Sequence, residues 1–253
     1  MKLGITLLAA GAALFAAMPI LAQASTISTD AAYYSYVHAS RRYDQTGQFN
    51  QSNSVPSLSV TDGSASASTA NNYSTPSISS SVSSGAFLAA ATAESGLTYY
   101  FTINGPDAAS LGTTTKVKIT ASGYVHSTGS AGGSGYLSVG PAENASTFVS
   151  ESMNGGGGNS ALISLSDTFD LTVGAIYRVV MTTHVVVNDV GTVTAYLDPY
   201  IQTLQSGYTV STFGGIGNSA VAPIPATLLL FLSGLGVLGL AAHRKKNAAA
   251  PAN

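Results

Sequence analysis

The chain has no cysteine and no tryptophan among its 253 residues. The first absence excludes disulfides, zinc–thiolate sites and cysteine nucleophiles, so packing and backbone hydrogen bonding must hold the fold alone. Charge is scarce as well, with Asp, Glu, Lys and Arg at 8% of residues. Four of the nine basic residues (Lys2, Arg244, Lys245 and Lys246) belong to the two hydrophobic ends. The body, residues 25–221, keeps Arg41, Arg42, Lys116, Lys118 and Arg178 against all eleven acids, a net charge of −6. That balance argues against nucleic acid and anionic lipid as partners. Catalytic motifs are missing too. There is no Gly-x-Ser-x-Gly elbow, and the glycine run at 155–158 lacks the Lys of a phosphate loop.

Serine, threonine, asparagine and glycine supply the polarity instead, and the apolar residues alternate with them at period two. Residues 31–37, 97–103 and 115–126 read as strands rich in Tyr, Val, Ile and Thr. In the last of these, Val117, Ile119, Ala121 and Val125 share one face, and Lys116, Lys118, Thr120 and Tyr124 the other. Residues 161–173 and 175–187 form the two clearest strands, and Gly174 between them suggests a hairpin turn. Tyr177, Val179, Met181, Val185 and Val187 share a face of the second, opposite Arg178, Thr182 and His184. Shorter strands are expected at 135–139, 147–152, 191–197, 200–204 and 207–212, with glycine-rich loops at 129–135 and 155–158 and a polar loop at 48–54. Residues 56–85 are low in complexity. They read as weak strands in which Ser alternates with small residues and Val60, Tyr73, Ile78 and Val82 punctuate the run, with a disordered linker as the alternative. No internal stretch has the 3.6-residue period of an amphipathic helix. Ten to twelve short strands imply an all-β fold, an antiparallel β-sandwich of jelly-roll-like form.

Candidate chemistry in this body is sparse. His38, His126 and His184 lack metal-ligand spacing, and the latter two fall on solvated strand faces. Asp167 and Asp170, three apart in one strand, point to opposite faces and cannot act as a pair. Asp189 and Asp198 lie near expected loops, where calcium would take oxygen ligands. No catalytic residue, metal or cofactor is assigned. Tyrosines are abundant, thirteen in all. Tyr33, Tyr34, Tyr36, Tyr43, Tyr99, Tyr100 and Tyr124 are candidates for stacking on sugars, or else half-buried strand residues. Asn50, Asn72 and Asn144 each open an Asn-x-Ser sequon.

The ends carry an address. Met1-Lys2 precedes an uncharged apolar run from 3 to 17, and Ala22-Gln23-Ala24 offers the small-x-small pattern of signal peptidase. Residues 1–24 therefore read as a secretory signal peptide cut after Ala24, with an uncleaved anchor as the alternative. Residues 226–242 are apolar on every side, and as a helix they reach about 26 Å, enough for a thin bilayer. Pro223 and Pro225 mark the start of that helix. Arg244, Lys245 and Lys246 place the last residues, 248–253, in the cytoplasm and the body outside it.

Residues 222–247 also resemble a known sorting signal. Ala222-Pro223-Ile224-Pro225-Ala226, the apolar helix and the basic cluster are similar to a PEP-CTERM tail. The family's motif has Glu between the prolines, where this chain has Ile224, so the tail is closer to the variant reading Val-Pro-Leu-Pro-Ala. The resemblance implies recognition by an exosortase, a membrane-embedded transpeptidase-like enzyme, near the Pro-x-Pro motif. It also implies Gram-negative hosts that make exopolysaccharide. On this reading the protein passes through the inner membrane to the cell surface or matrix and has a structural or adhesive, non-enzymatic role there. Its expected partners are signal peptidase, exosortase and exopolysaccharide. A lectin-like module, calcium-dependent or not, is the alternative, and a polysaccharide hydrolase the third.

Overall fold

A computed structural model describes residues 30–40, 48–52 (backbone only), 56–143 and 146–218. The signal-peptide site at Ala22 and Ala24, the motif at Pro223, Ile224, Pro225 and Ala226, and the basic cluster at Arg244, Lys245 and Lys246 lie outside the described residues. So do Tyr43 and Asn144. Among the described residues no helix is long and apolar enough to cross a membrane.

The described chain is all β, an antiparallel sandwich of eleven strands with one short 3-10 turn at Ala108–Ser110. The strands are β1 (Ala32–Ser40), β2 (Gln48–Ser52), β3 (Ser57–Asp62), β4 (Ala65–Asn72), β5 (Ser77–Ser84), β6 (Ala90–Asn104), β7 (Thr114–Pro141), β8 (Val149–Gly156), β9 (Ala161–Thr172), β10 (Ile176–Thr203) and β11 (Thr209–Thr212). Two of them, β7 and β10, are 28 residues long and pair with each other along almost their whole length. This long ribbon serves both layers. The first half of β10 pairs β6, and the second half pairs β5. The second half of β7 pairs β8, and the first half pairs β9. Layer I therefore runs β2-β1-β6-β10-β7-β8, with β11 continuing β1's side of β6. Layer II runs β3-β4-β5-β10-β7-β9.

The crease between the layers explains why sequence reading divides these strands. Asn188-Asp189-Val190 looks like a turn, but it is a bulge at which the register of β10 against β7 shifts. Gly129 and Gly191 face each other there. A Cβ on Gly129 would lie 2.3 Å from the Val190 carbonyl, and one on Gly191 2.4 Å from that of Thr128. Only glycine allows the two backbones to cross so closely. The glycines at 129–135, expected as a loop, are the bend and continuation of β7. Likewise 191–197 and 200–204 continue β10, and the polar stretch from 48, expected as a loop, forms edge strand β2.

A second correction concerns Gly174. β9 and β10 do not form a hairpin, because β9 pairs β7 in layer II while β10 begins in layer I. The chain arches between layers with Gly174 at φ 83°. The Thr172 N–H donates to the Tyr177 hydroxyl at 2.7 Å and pins the arch.

Period-two alternation persists through every long strand. Val117, Ile119, Leu137, Val179, Met181, Leu197 and Ile201 are buried between the layers with Tyr99, Phe101 and Ile78. The low-complexity region forms β3, β4 and β5, with Leu58, Ala65, Ala67 and Val82 turned inward. Small side chains on β4 and β5 leave room for a polar belt inside the sandwich. Asn71 donates to Ser35 at 3.1 Å and accepts from Ser95 at 2.6 Å, and Ser80 shares a 2.8 Å bond with Thr183. All five side chains are buried and link strands of opposite layers.

Candidate functional site

The outer face of layer I carries the most varied side chains, and strand register sorts them into rows. One row is Tyr34, Gly96, Thr182 and Tyr136, on β1, β6, β10 and β7. The next is Tyr36, Glu94 and His184, and on the other side lie Ala32, Thr98 and Val180. Gly96 gives this face its shape. A strand glycine normally marks a bulge or a close approach of backbone, and Gly96 shows neither. Its φ is not positive. A Cβ placed on it would meet only the Met181 carbonyl at 3.6 Å and Thr182 Cγ2 at 3.7 Å, ordinary contacts. Packing therefore does not demand glycine here. Its lack of a side chain opens a shallow groove of about 570 Å³ lined by Tyr34, Glu94, Thr98, Val180 and Thr182. Tyr136 ends the row three strands from Tyr34, about 14 Å away and beyond the groove lining.

The electrostatics of the two tyrosines differ. Burial pushes the Tyr34 phenol up, and the negative charge of Glu94 and the nearby Tyr36 add to it. Tyr34 thus stays a neutral hydroxyl able to donate and accept. Tyr136 is held below the ordinary phenol range by hydrogen bonds with Ser138 and Ser150, which outweigh burial, with help from the Arg178 charge. Glu94 is the one acid among the groove-lining residues.

The structure divides the sequence-derived tyrosines. Tyr34, Tyr36 and Tyr100 share the outer face of layer I, and Tyr124 lies on the outer face of layer II. Tyr99 is wholly buried, which removes it as a stacking candidate. Tyr33 turns inward against Tyr73, ring centroids 5.3 Å apart. Asp198 lies within β10 opposite Ser122, and Asp189 sits in the crease bulge, so the two do not meet in a loop. Asp167 and Asp170 fall on opposite faces of β9, as their spacing requires. His126 and His184 are exposed. Among the described residues no three His, Asp or Glu side chains gather as metal ligands. Sequence reading missed Gly96, Tyr136 and Tyr196. Their importance comes from cross-strand register, which one-dimensional spacing does not contain.

No protein-family model matches the chain, and neither does any curated protein. Among solved structures, the enzymatically active domain of tailspike protein 4 of bacteriophage CBA120 is similar over 58% of this chain, at 14% identity and a TM-score of 0.28. The chain spans 19% of that protein's length. The Cowpea mosaic virus top component, a naturally occurring empty particle, is similar over 78% of this chain and 90% of its own, at 8% identity and a TM-score of 0.20. At such scores neither likeness bears on function.

Proposed function

We propose that this is an exported, non-enzymatic protein of the cell surface or extracellular matrix. It is sorted by its Pro223-Ile224-Pro225-Ala226 tail and serves a structural or adhesive part in a polysaccharide-rich coat. Its layer I groove grips neutral polysaccharide. One observation carries the binding reading: Gly96 lies in an open groove beside Tyr34 although neither backbone conformation nor packing requires a glycine there. Tyrosine supplies a flat apolar ring with a polar tip, suited to the C–H face and the hydroxyls of a pyranose. The body's charge of −6 favours an uncharged polymer over an acidic one. The apolar segment at 3–17 with its small-x-small pattern, the apolar run at 226–242 and the basic cluster at 244–246 are the sequence features behind the location. The test is cosedimentation of the full chain with exopolysaccharide from the producing cells. Saturable retention that survives chelation of calcium supports the reading, and absence of retention overturns it.

A further inference from the structure

On the opposite face of the sandwich, Tyr124 of β7 and Tyr196 of β10 stand directly across from each other in register. Their rings stack with centroids 5.7 Å apart and planes 28° from parallel. Leu162 of β9 extends the same row beyond Tyr124 and is 76% exposed, while Tyr124 is 40% exposed. Ser79 of β5 continues it beyond Tyr196. Three adjacent strands thus present an apolar ridge about 10 Å wide, edged by a serine on a fourth and long enough for two sugar rings. Polar side chains flank it: Asp198, Ser122 and Ser164 in the row on one side, Thr194 and His126 on the other. The nearest lysine along β7 on this face, Lys118, is six residues from Tyr124, about 20 Å, and the nearer His126, two residues away, shares a 2.8 Å hydrogen bond with Ser160.

The ridge is also braced, because the Tyr124 and Tyr196 rings stack on one another. Exposed large apolar side chains rimmed by hydroxyls mark an interaction surface. Rigid aromatic anchors that lose little entropy on binding are the expected contact groups.

We infer that the Tyr124–Tyr196–Leu162 ridge is a second saccharide-binding site, facing away from the Gly96 groove, and that the domain cross-links neutral polysaccharide chains. The inference rests on the proposed polysaccharide reading and deepens it. Two sites on opposite faces of one rigid sandwich cannot both engage the same short stretch of a chain. Each domain therefore joins two strands, and bound strands become a network.

Calorimetry of the full chain with neutral hexaoses (cellohexaose, maltohexaose and mannohexaose), beside an oligogalacturonate of equal length, tests it. The expected stoichiometry is two molecules of one neutral hexaose per chain. Leu162→Asp, at an exposed position that does not threaten folding, is expected to weaken one site at least 10-fold. The Tyr124→Ala/Tyr196→Ala double variant should remove that site and leave one. Gly96→Val removes the other. Turbidity with the corresponding long polymer is expected for wild type and lost in either single-site variant. Two sites with both unaffected by Leu162→Asp and by the double tyrosine variant would overturn the ridge assignment. One site, lost only with Gly96→Val, overturns the second site and leaves the groove reading standing. One site lost only with the ridge variants overturns the groove and cross-linking together. No binding overturns both, and preference for the oligogalacturonate overturns the neutral specificity.

Discussion

Asn71 on β4 accepts a 2.6 Å hydrogen bond from Ser95 on β6, across the sandwich and between strands of different layers. The same carboxamide donates to Ser35 on β1. β4 reads Ala-Ser-Ala-Ser-Thr-Ala-Asn-Asn, so a slip of two residues against β5 keeps nearly the same small side chains inside. Asn71 is the residue such a slip misplaces. Asn71→Ala strands two buried hydroxyls and is expected to cost about 3 kcal/mol in denaturant unfolding. The triple variant Ser35→Ala/Asn71→Leu/Ser95→Ala removes all three polar partners and should recover most of that loss. Failure of the triple variant to recover would mean the belt contributes through packing rather than polar pairing.

Asp198 gives the molecule a pH signature. Burial raises its carboxyl above the ordinary Asp value, and the hydrogen bond with Tyr196 offsets only part of that. The folded state therefore holds the Asp198 proton more tightly than the unfolded chain. Below the unfolded pKa, near 4, both states are protonated and the group costs nothing. As pH rises through the raised folded value, its stability contribution is lost. Asp198→Asn is expected to melt above wild type at pH 7, with the gap closing near pH 4. The comparison between variants cancels the other carboxylates. A gap that is independent of pH would show that Asp198 is not the titrating group.

The crease makes a sharper demand. Gly129 lies at φ +61°, and its missing Cβ is what admits the Val190 carbonyl. Gly129→Ala or Gly191→Ala must open the crossing of β7 and β10, and about 3 kcal/mol of lost stability is expected for each. Gly157 also has positive φ, but nothing lies within 4 Å of its Cβ position. Gly157→Ala should cost roughly 1 kcal/mol from backbone strain alone. Equal losses at 129 and 157 would contradict the crossing as the cause.

How much of this was legible follows from what alternation can encode. Inward and outward faces could be read directly: Val117 and Ile119 against Lys116 and Lys118, or Val179 and Met181 against Arg178. Period two also distinguished the serine-rich run from a linker, because Ile78 and Val82 fall where an inward face needs them. Strand continuity was hidden. Gly129, Ser130 and Ala131, like Asn188 and Asp189, carry the composition of turns, and only their meeting across two strands makes them a bulged crease. The groove was half legible. Tyr34 could be named as a surface aromatic, but its facing Gly96 and the Tyr136 that ends their row come from sequence positions 62 and 102 residues away. Asp198 looked like loop chemistry because Pro199 follows it, yet both lie inside β10.

The tail prediction is independent of the sandwich. Cells expressing the full chain, epitope-tagged within the body, are fractionated beside a Pro223→Ala/Pro225→Ala variant. The wild-type body is expected outside the inner membrane with a mass ending near Pro225, and the variant full-length in the membrane. If both remain membrane-bound from Ser25 to Asn253, the tail acts as an anchor and the sorting role falls.

The most direct test of the central claim joins stability to binding in one variant, Gly96→Ala. A glycine inside a strand is less stable than alanine by about 0.5–1 kcal/mol, and the Cβ has room. The variant is therefore expected to melt at or slightly above wild type while its affinity for a neutral hexaose at the groove falls several-fold. Gly96→Val, filling more of the groove, should abolish binding there. Undiminished groove affinity in Gly96→Ala and Gly96→Val proteins that melt normally would contradict the assignment of the groove as the polysaccharide site.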